Sequence, residues 1–351
     1  MDNNVQPYAI GVDIGGTNTK FGVVNHRGET SHTGSLGTAA YATAEAFVDA
    51  LHAALQPALI AVGQQHIKGI GIGAPNANYY TGTIEQAPNL NWKGSVPLAA
   101  LVREKFGVPC FLTNDANAAA VGERLYGAAR GMSDFMVITL GTGVGSGIVS
   151  GGRLVLGHDG FAGELGHTII RPGGRGHWST GLQGSLEAYA SATGIVLTAK
   201  ALLHPTSAIL FDSAGQPSLL RSFPDEELSA RLVYECARKG DELARKVYEF
   251  TGQVLGEALA NFVMFSSPQA IILFGGVTKA GDLLLNPVRE HMEKNLLPVF
   301  RNKVKLLFSE LREADAAILG ASALVWERNG RNGKDHGCSL QQTSDTFLCT
   351  A

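Results

Sequence analysis

YAIGVDIGGTNTKFGVV, residues 8–24, places two β-rich apolar runs around a Gly-Gly-Thr-Asn turn, the pattern of a hairpin closed by glycine. Much later FMVITLGTGVGSGIV, residues 135–149, repeats it as an apolar strand, a Gly-Thr-Gly turn and a glycine-interleaved apolar strand. Two copies of so unusual a unit predict a duplicated architecture, two lobes that each present one hairpin. The copies differ at one chemical position. The first strand of the early copy ends in Asp13, and the matching residue of the later copy is Thr139. One lobe brings an acid to its turn and the other does not.

The segments between and after the hairpins alternate helix and strand patterns. TAEAFVDALHAALQPAL has helical period, IKGIGIGAP reads as a buried strand entering a loop, and FLTNDANAAAVGERLYGAARG reads as a short strand followed by a helix. In the second half, EELSARLVYECARKGDELARKVYEFTGQVLGEALANFVMF reads as paired helices. QAIILFGGVTKAG is a buried strand breaking into a Gly-Gly loop, and ADAAILGASALVWERNG is a small-residue helix suited to close packing. Strands alternating with helices indicate an α/β fold.

With 351 residues, 45% hydrophobic and 17% charged, the chain has the length for two domains and an ordinary globular composition. A formal charge of −3 gives no electrostatic reason to expect nucleic acid or an acidic membrane as partner. MDNNVQPYAIG lacks the basic and apolar regions of a signal peptide, and no apolar run is expected to span a membrane. Cys110, Cys236, Cys338 and Cys349 lie far apart without a C-x-x-C pair, which fits a reducing cytoplasm. The polar, Gly/Asn-rich stretch 329–351 reads as a poorly ordered tail.

Three groups of residues can carry chemistry. The glycine turns let an anion approach backbone N–H groups, and Asp13 beside one of them suits Mg²⁺ held through water. A plain tight turn explains one such hairpin equally well; two of them together with LFGGV are poorly explained that way. Asn114 and Asp115 sit at a strand-to-helix junction. They either cap the helix, the usual reason for these residues there, or supply a general base, Asp115, with Asn114 orienting the hydroxyl it serves. Glu164, His167 and Glu187 surround a Gly/Pro-rich loop. A satisfied loop histidine is the ordinary reading; the alternative is a set of donors and acceptors for several hydroxyls.

In this combination the residues resemble the ROK family of bacterial sugar kinases, over about residues 8–326. The resemblance implies a two-lobed, duplicated ribonuclease-H-like fold of the actin-like ATPase type with an interlobe cleft. The smaller lobe is expected at 1–115, completed by a C-terminal helix at 315–328, and the larger at 116–314. GVDIGGTNTK is similar to the family's first phosphate motif, LGTGVGSGIV to its second, FGGV at 274–277 to its adenosine motif and ADAAILGA to its closing helix. These matches imply nucleotide contacts at Asp13, Gly15, Gly16, Thr17, Lys20, Thr142, Gly143, Gly275 and Gly276, with ATP and Mg²⁺ as cofactors. TNDANAAA is similar to the catalytic segment, which implies Asp115 as base, beside Asn114. GELGH with SLEAY implies sugar contacts at Glu164, His167 and Glu187, and APNL adds Asn89. The expected reaction is transfer of the γ-phosphoryl of ATP to the 6-hydroxyl of a hexose, glucose first. The backbone N–H groups of Gly15, Gly16, Thr17, Thr142 and Gly143 would meet the phosphates. The family also implies a homodimer or homotetramer.

Two departures stand out. Where the family carries three zinc-binding cysteines in C-x-C-G-x-x-G-C, this chain has Trp178, Thr180 and Ser185. Zinc sites owe their tightness to thiolate, so zinc is expected to be absent. Packing of Trp178 and hydrogen bonds of Thr180 and Ser185 are expected to hold the loop instead; His167 and His177 alone do not make a structural site. Asn76 replaces a glycine usual in the family and tolerates positive φ, at a place that borders the sugar. Kinases of N-acetylhexosamines, mannose or fructose are therefore the nearest alternatives. A sugar-sensing regulator is the alternative of another class, set back by the weak charge and by a first motif that begins by residue 10, leaving no room for a helix-turn-helix head.

Overall fold

The computed structural model describes residues 6–204, 217–311 and 315–331. The chain opens with β1 (Tyr8–Ile14), β2 (Asn18–Asn25) and β3 (Thr30–Gly37), and crosses through α1 (Ala44–Val62) to β4 (Ile67–Gly73). A small antiparallel sheet of β5 (Ala77–Asn78), β6 (Thr83–Glu85) and β7 (Ser95–Val96) follows, then α2 (Leu98–Phe106), β8 (Cys110–Thr113) and α3 (Asp115–Tyr126). The second half starts again with β9 (Phe135–Leu140), β10 (Val144–Ser150) and β11 (Arg153–Leu154). It continues through α4 (Glu187–Ala190), α5 (Ala192–Leu203), α6 (Ala230–Arg238) and α7 (Glu242–Ser266) to β12 (Ala270–Phe274). The last elements are α8 (Asp282–Asn295), β13 (Lys305–Phe308) and α9 (Ala316–Arg331).

The duplication read from the two hairpins extends to the whole of both sheets. One five-stranded sheet has the order β3-β2-β1-β4-β8 and the other β11-β10-β9-β12-β13. In each, the first hairpin strand pairs antiparallel on one side and parallel on the other. Two parallel strands need a helical crossover, whereas a hairpin needs only its turn. A hairpin followed by strand–helix alternation therefore folds to this order in both halves. The result is the two-lobed, duplicated fold of the actin-like ATPases.

Each sheet is covered by helices. Ile10, Val12 and Ile14 of β1 share a core with Phe47, Leu51 and Leu55 of α1, all of them at 1% exposure or less. Side chains of this size contribute about 1.5–3 kcal/mol each on full burial. The expectation of no membrane-length apolar run needs correction here, because α1 has the length and composition to cross a membrane. In the fold its apolar stripe is spent on the core instead. On the other face of the first sheet α9 lies against backbone: a Cβ on Gly71 would meet the Ala321 carbonyl at 1.9 Å. Only glycine allows that approach, and α9 accordingly packs on β1 and β4 as well as on α3. The second sheet is covered by α7 and its neighbours, with Val254, Leu255, Leu259 and Val263 fully buried in the larger core. Of the polar stretch read from residue 329, residues 329–331 are the last of α9 and the remainder lies outside the described residues.

Candidate active site

The carboxyl ends of the parallel strands of both sheets point into one cleft, as open α/β sheets favour. On the first side Asp13 is the last residue but one of β1 and Thr113 is the last of β8, after which Asn114 and Asp115 open α3. Asn114 does cap the helix: its side chain accepts the N–H of Asn117 at 2.8 Å. That cap fixes Asp115 at the first helical position, where it accepts its neighbour Ala116's N–H at 2.8 Å. The end of β4 lies between the two acids, since a Cβ on Gly73 would be 3.5 Å from Asp115 Cα and 3.9 Å from Asp13 Oδ1.

Both acids are raised. The Asp13 carboxyl is pushed up to about 6, first by burial and then by Asp115, against the opposing pull of Lys20. Lys20 stands opposite Asp13 in the β1–β2 register, where facing side chains share one side of a sheet. Asp115 lies deep in the cleft yet open to water from its mouth. Cleft burial raises its carboxyl, and the N–H groups of Ala116 and of Asp115 itself lower it.

Asp13, Asn89, Asn114, Asp115, Glu164, His167 and Glu187 all line this cleft, together with Thr142, Gly143 and Gly275 from the second sheet. Gly15, Gly16, Thr17, Lys20 and Gly276 do not line it. Gly16 is nevertheless adjacent, because a Cβ there would be 2.7 Å from the Asn89 carbonyl. The Gly15 N–H closes the turn onto the Asn18 carbonyl at 3.0 Å. Gly276 faces a second pocket, which shares Gly141 and Thr142 with the cleft and has Tyr234, Arg238, Tyr248 and Lys279 among its walls. The contribution of α6 to that wall was missed in the sequence. Its one signal is an Arg four residues after a Tyr, which brings the Arg238 guanidinium 5.8 Å from the Tyr234 ring.

On the opposite wall Glu187 is held at both oxygens. Oε2 accepts the Val144 N–H at 2.7 Å, and Oε1 lies 2.5 Å from His177 Nε2. A Cβ on Gly143 would meet Glu187 Oε2 at 2.5 Å, so the glycine turn and the carboxylate fit only because residue 143 has no side chain. Glu164 is at the mouth; burial raises its carboxyl, His167 lowers it, and Asp115 and Glu187 raise it further. Its nearest approach to His167 Nε2 is 3.9 Å, too long for a hydrogen bond. Asn76 has φ 49° as expected, with its amide donating to the Glu85 carbonyl at 3.0 Å, and it lines the same cleft.

The family model described as "ROK family" matches residues 9–328. The chain belongs to the ROK family. A ROK relative, the glucokinase of Thermotoga maritima, is 32% identical over 323 residues, covering 92% of this chain and 98% of that one. A solved ROK glucokinase from Streptomyces griseus, in complex with glucose and AMPPNP, superposes with a TM-score of 0.73 at 34% identity, covering 91% of this chain and 99% of that one. The chain is also similar to a putative xylose repressor from a Caldicellulosiruptor species, 30% identical over 319 residues, covering 90% of this chain and 77% of that one.

The zinc that the ROK resemblance implies does not suit the residues present. Trp178 has no metal-binding lone pair and is 46% exposed, stacked on His177 at 4.2 Å. Thr180 Oγ1 lies 3.4 Å from the Leu182 N–H that it accepts. Ser185 Oγ, expected to help tie the loop, has no hydrogen-bond partner among the described residues, and neither has His167 Nδ1. The expectation for Ser185 is therefore corrected: Ser185 lies in a short backbone bridge to Ile169, and the loop is tied elsewhere. Donor atoms of His167, His177 and Glu187 do come within 4.8 Å of one another. A separation of 2.5 Å between His177 and Glu187 is that of a strong hydrogen bond, and it is too short for two ligands at about 2.0 Å from a tetrahedral zinc.

Proposed function

We propose that the protein is an ATP-dependent hexose kinase acting on the 6-hydroxyl, with glucose as the foremost substrate. The observation that carries this is the facing of Asp115, fixed by the Asn114 cap, toward a cleft whose opposite wall holds Glu187 and the second glycine turn. Asp115 accepts the proton of the 6-hydroxyl as its oxygen forms the new bond to the γ-phosphorus. The bond from that phosphorus to the bridging oxygen breaks, and ADP leaves with the electron pair. Reactions of this kind need positioning and electrostatics more than covalent help. The N–H groups of Gly16, Thr17, Thr142 and Gly143 stabilise phosphoryl charge. Asn89, Asn114, Glu164, His167 and Glu187 bind the sugar hydroxyls, and Lys20 balances Asp13. Gly275 and Gly276 lie toward the adenosine. The acidic, water-accessible pair of Asp13 and Asp115 suits a hard cation. Asp13 would hold Mg²⁺ through water, and the ion's role there is to neutralise phosphate charge.

The domain boundary is proposed at residue 115, with residues 1–115 and the helix 315–328 as the smaller lobe and 116–314 as the larger. The packing of α9 on β1 and β4 supports it. A cytoplasmic location is supported by the unpaired Cys110 and Cys236, and the family resemblance supports a homodimer or homotetramer. A phosphoryl-transfer assay over glucose, mannose, fructose and N-acetylhexosamines tests the reading. Turnover fastest on an N-acetylhexosamine would move the assignment to that class, a shift that Asn76 in the cleft wall makes worth testing. No transfer to any hexose, with sugar binding intact, would leave a sugar sensor.

A further inference from the structure

The loop after His167 is built as a tied hairpin. Ile170 and Arg171 donate to the Gly184 carbonyl at 2.8 and 3.0 Å, and Gly184 donates to the Arg175 carbonyl at 2.8 Å. The Arg175 guanidinium donates to the carbonyls of Ala188 and Gly194 and to Thr198 Oγ1 at 2.8–3.0 Å, lying 4.8 Å from the Tyr189 ring. Arg171 pairs with Glu257 of α7. These ties secure the loop to the helices behind it.

One side chain carries that order to the cleft. His177, 1% exposed, donates its own N–H to the Leu182 carbonyl at 2.7 Å. Its Nδ1 faces the backbone N–H groups of Ser179 and Thr180 at 3.3 and 3.2 Å. Two donors aimed at Nδ1 require it to be the acceptor, so the ring proton belongs on Nε2 and is given to Glu187 Oε1. The Trp178 ring stacked on His177 at 26° and the edge of His167 leave the imidazole one orientation.

We infer that His177 is the positioning residue that holds Glu187 for the sugar, and that it replaces the zinc of the related loops. The inference rests on Glu187 being a sugar contact. A carboxylate fixed at one oxygen by Val144 alone can swing about that contact; a second, charge-assisted bond removes the freedom and keeps the remaining lone pairs aimed into the cleft.

The test uses the full-length protein, purified without added zinc and dialysed against EDTA. The expected result is far less than stoichiometric zinc with activity retained; stoichiometric zinc whose removal abolishes activity would overturn the inference. Long-range proton–nitrogen spectra are expected to show His177 as the Nε2–H tautomer, and the Nδ1–H tautomer would overturn it without any variant. Loss of a hydrogen bond to a charged group predicts that His177→Leu raises the sugar KM roughly tenfold or more, with the ATP KM unchanged. His177→Gln, which keeps an N–H donor, is expected to recover most of that loss. If His177→Leu does not fold, His177→Gln decides: a sugar KM near that of the unaltered protein supports the inference, whereas sugar and ATP KM values raised together mean a merely structural residue and overturn it. Glu187→Gln separates the two layers. A sugar KM unmoved in Glu187→Gln defeats the sugar-contact reading itself, whereas one raised there and unmoved in His177→Leu defeats only the role of His177.

Discussion

The two glycine hairpins share a place in the strand order and differ at their acid. In the first, Asp13 stands one residue before the end of β1 and lines the cleft with its carboxyl raised to about 6. In the second, Thr139 occupies the matching place, also in the cleft wall, and its hydroxyl accepts the N–H of Gly145, its partner across the hairpin, at 3.0 Å. The backbone was duplicated and the chemistry was not. The first half supplies Asp13 and Asp115, while the second supplies the N–H groups of its turn, the hydroxyls of Thr139 and Thr142, and two carboxylates of its own, Glu164 and Glu187.

The comparison breaks first at the acids. Asp115→Asn is expected to lower turnover by roughly a hundredfold or more, on general-base magnitudes, with sugar affinity by calorimetry preserved; near-normal turnover would remove Asp115 from the role. Asp13→Asn is expected to cost less, roughly ten- to a hundredfold in kcat/KM for ATP at neutral pH, as loss of one electrostatic partner of the phosphates.

Its pH dependence sharpens the contrast. Since the Asp13 carboxyl sits near 6 rather than 3.8, a proton occupies it below that pH. Nucleotide binding that needs the carboxylate therefore weakens as pH falls through about 6, and binding near that pH releases a proton measurable as a buffer-dependent heat. The free protein shows the opposite sign. A raised folded-state value means that this group's destabilising charge is lost as pH falls from about 6 toward 3.8, so its contribution to stability rises. Asp13→Asn should remove both dependences.

On the other hairpin, Thr139→Val is expected to cost about 1–3 kcal/mol of stability by stranding the Gly145 N–H, read as a lower melting temperature, with turnover changed only a few-fold. The smallest effect is expected at Asn76→Gly. Relief of positive φ and loss of the bond to the Glu85 carbonyl oppose one another, leaving less than about 1 kcal/mol in stability. A change in hexose preference is what this substitution should show.

Much of this was legible because it is local. A glycine turn between alternating strands, an Asn-Asp pair at a helix start and an Asn that must adopt positive φ each declare themselves within a few residues. The roles of Asn114 show how far that goes: capping and cleft placement are one arrangement rather than rivals. What the sequence hid is long-range. Nothing near Arg175 announces that it reaches the carbonyl of Gly194, and the wall built by Tyr234 and Arg238 is set by how α6 meets the Gly276 turn. Ser185 was credited with a bond on the strength of replacing a ligand. Burial decided otherwise, since a backbone bridge had already placed it.

The position of α9 bears on how the molecule is made. The sheet it covers is synthesised first, but the Gly11 and Gly71 backbones that α9 lies against stay bare until the entire second half has left the ribosome. Chains usually fold domain by domain from the amino end. Here the early half must wait, sticky on one side, for a helix translated near the end. A stalled or truncated nascent chain should accordingly be the form of this protein that chaperones bind most.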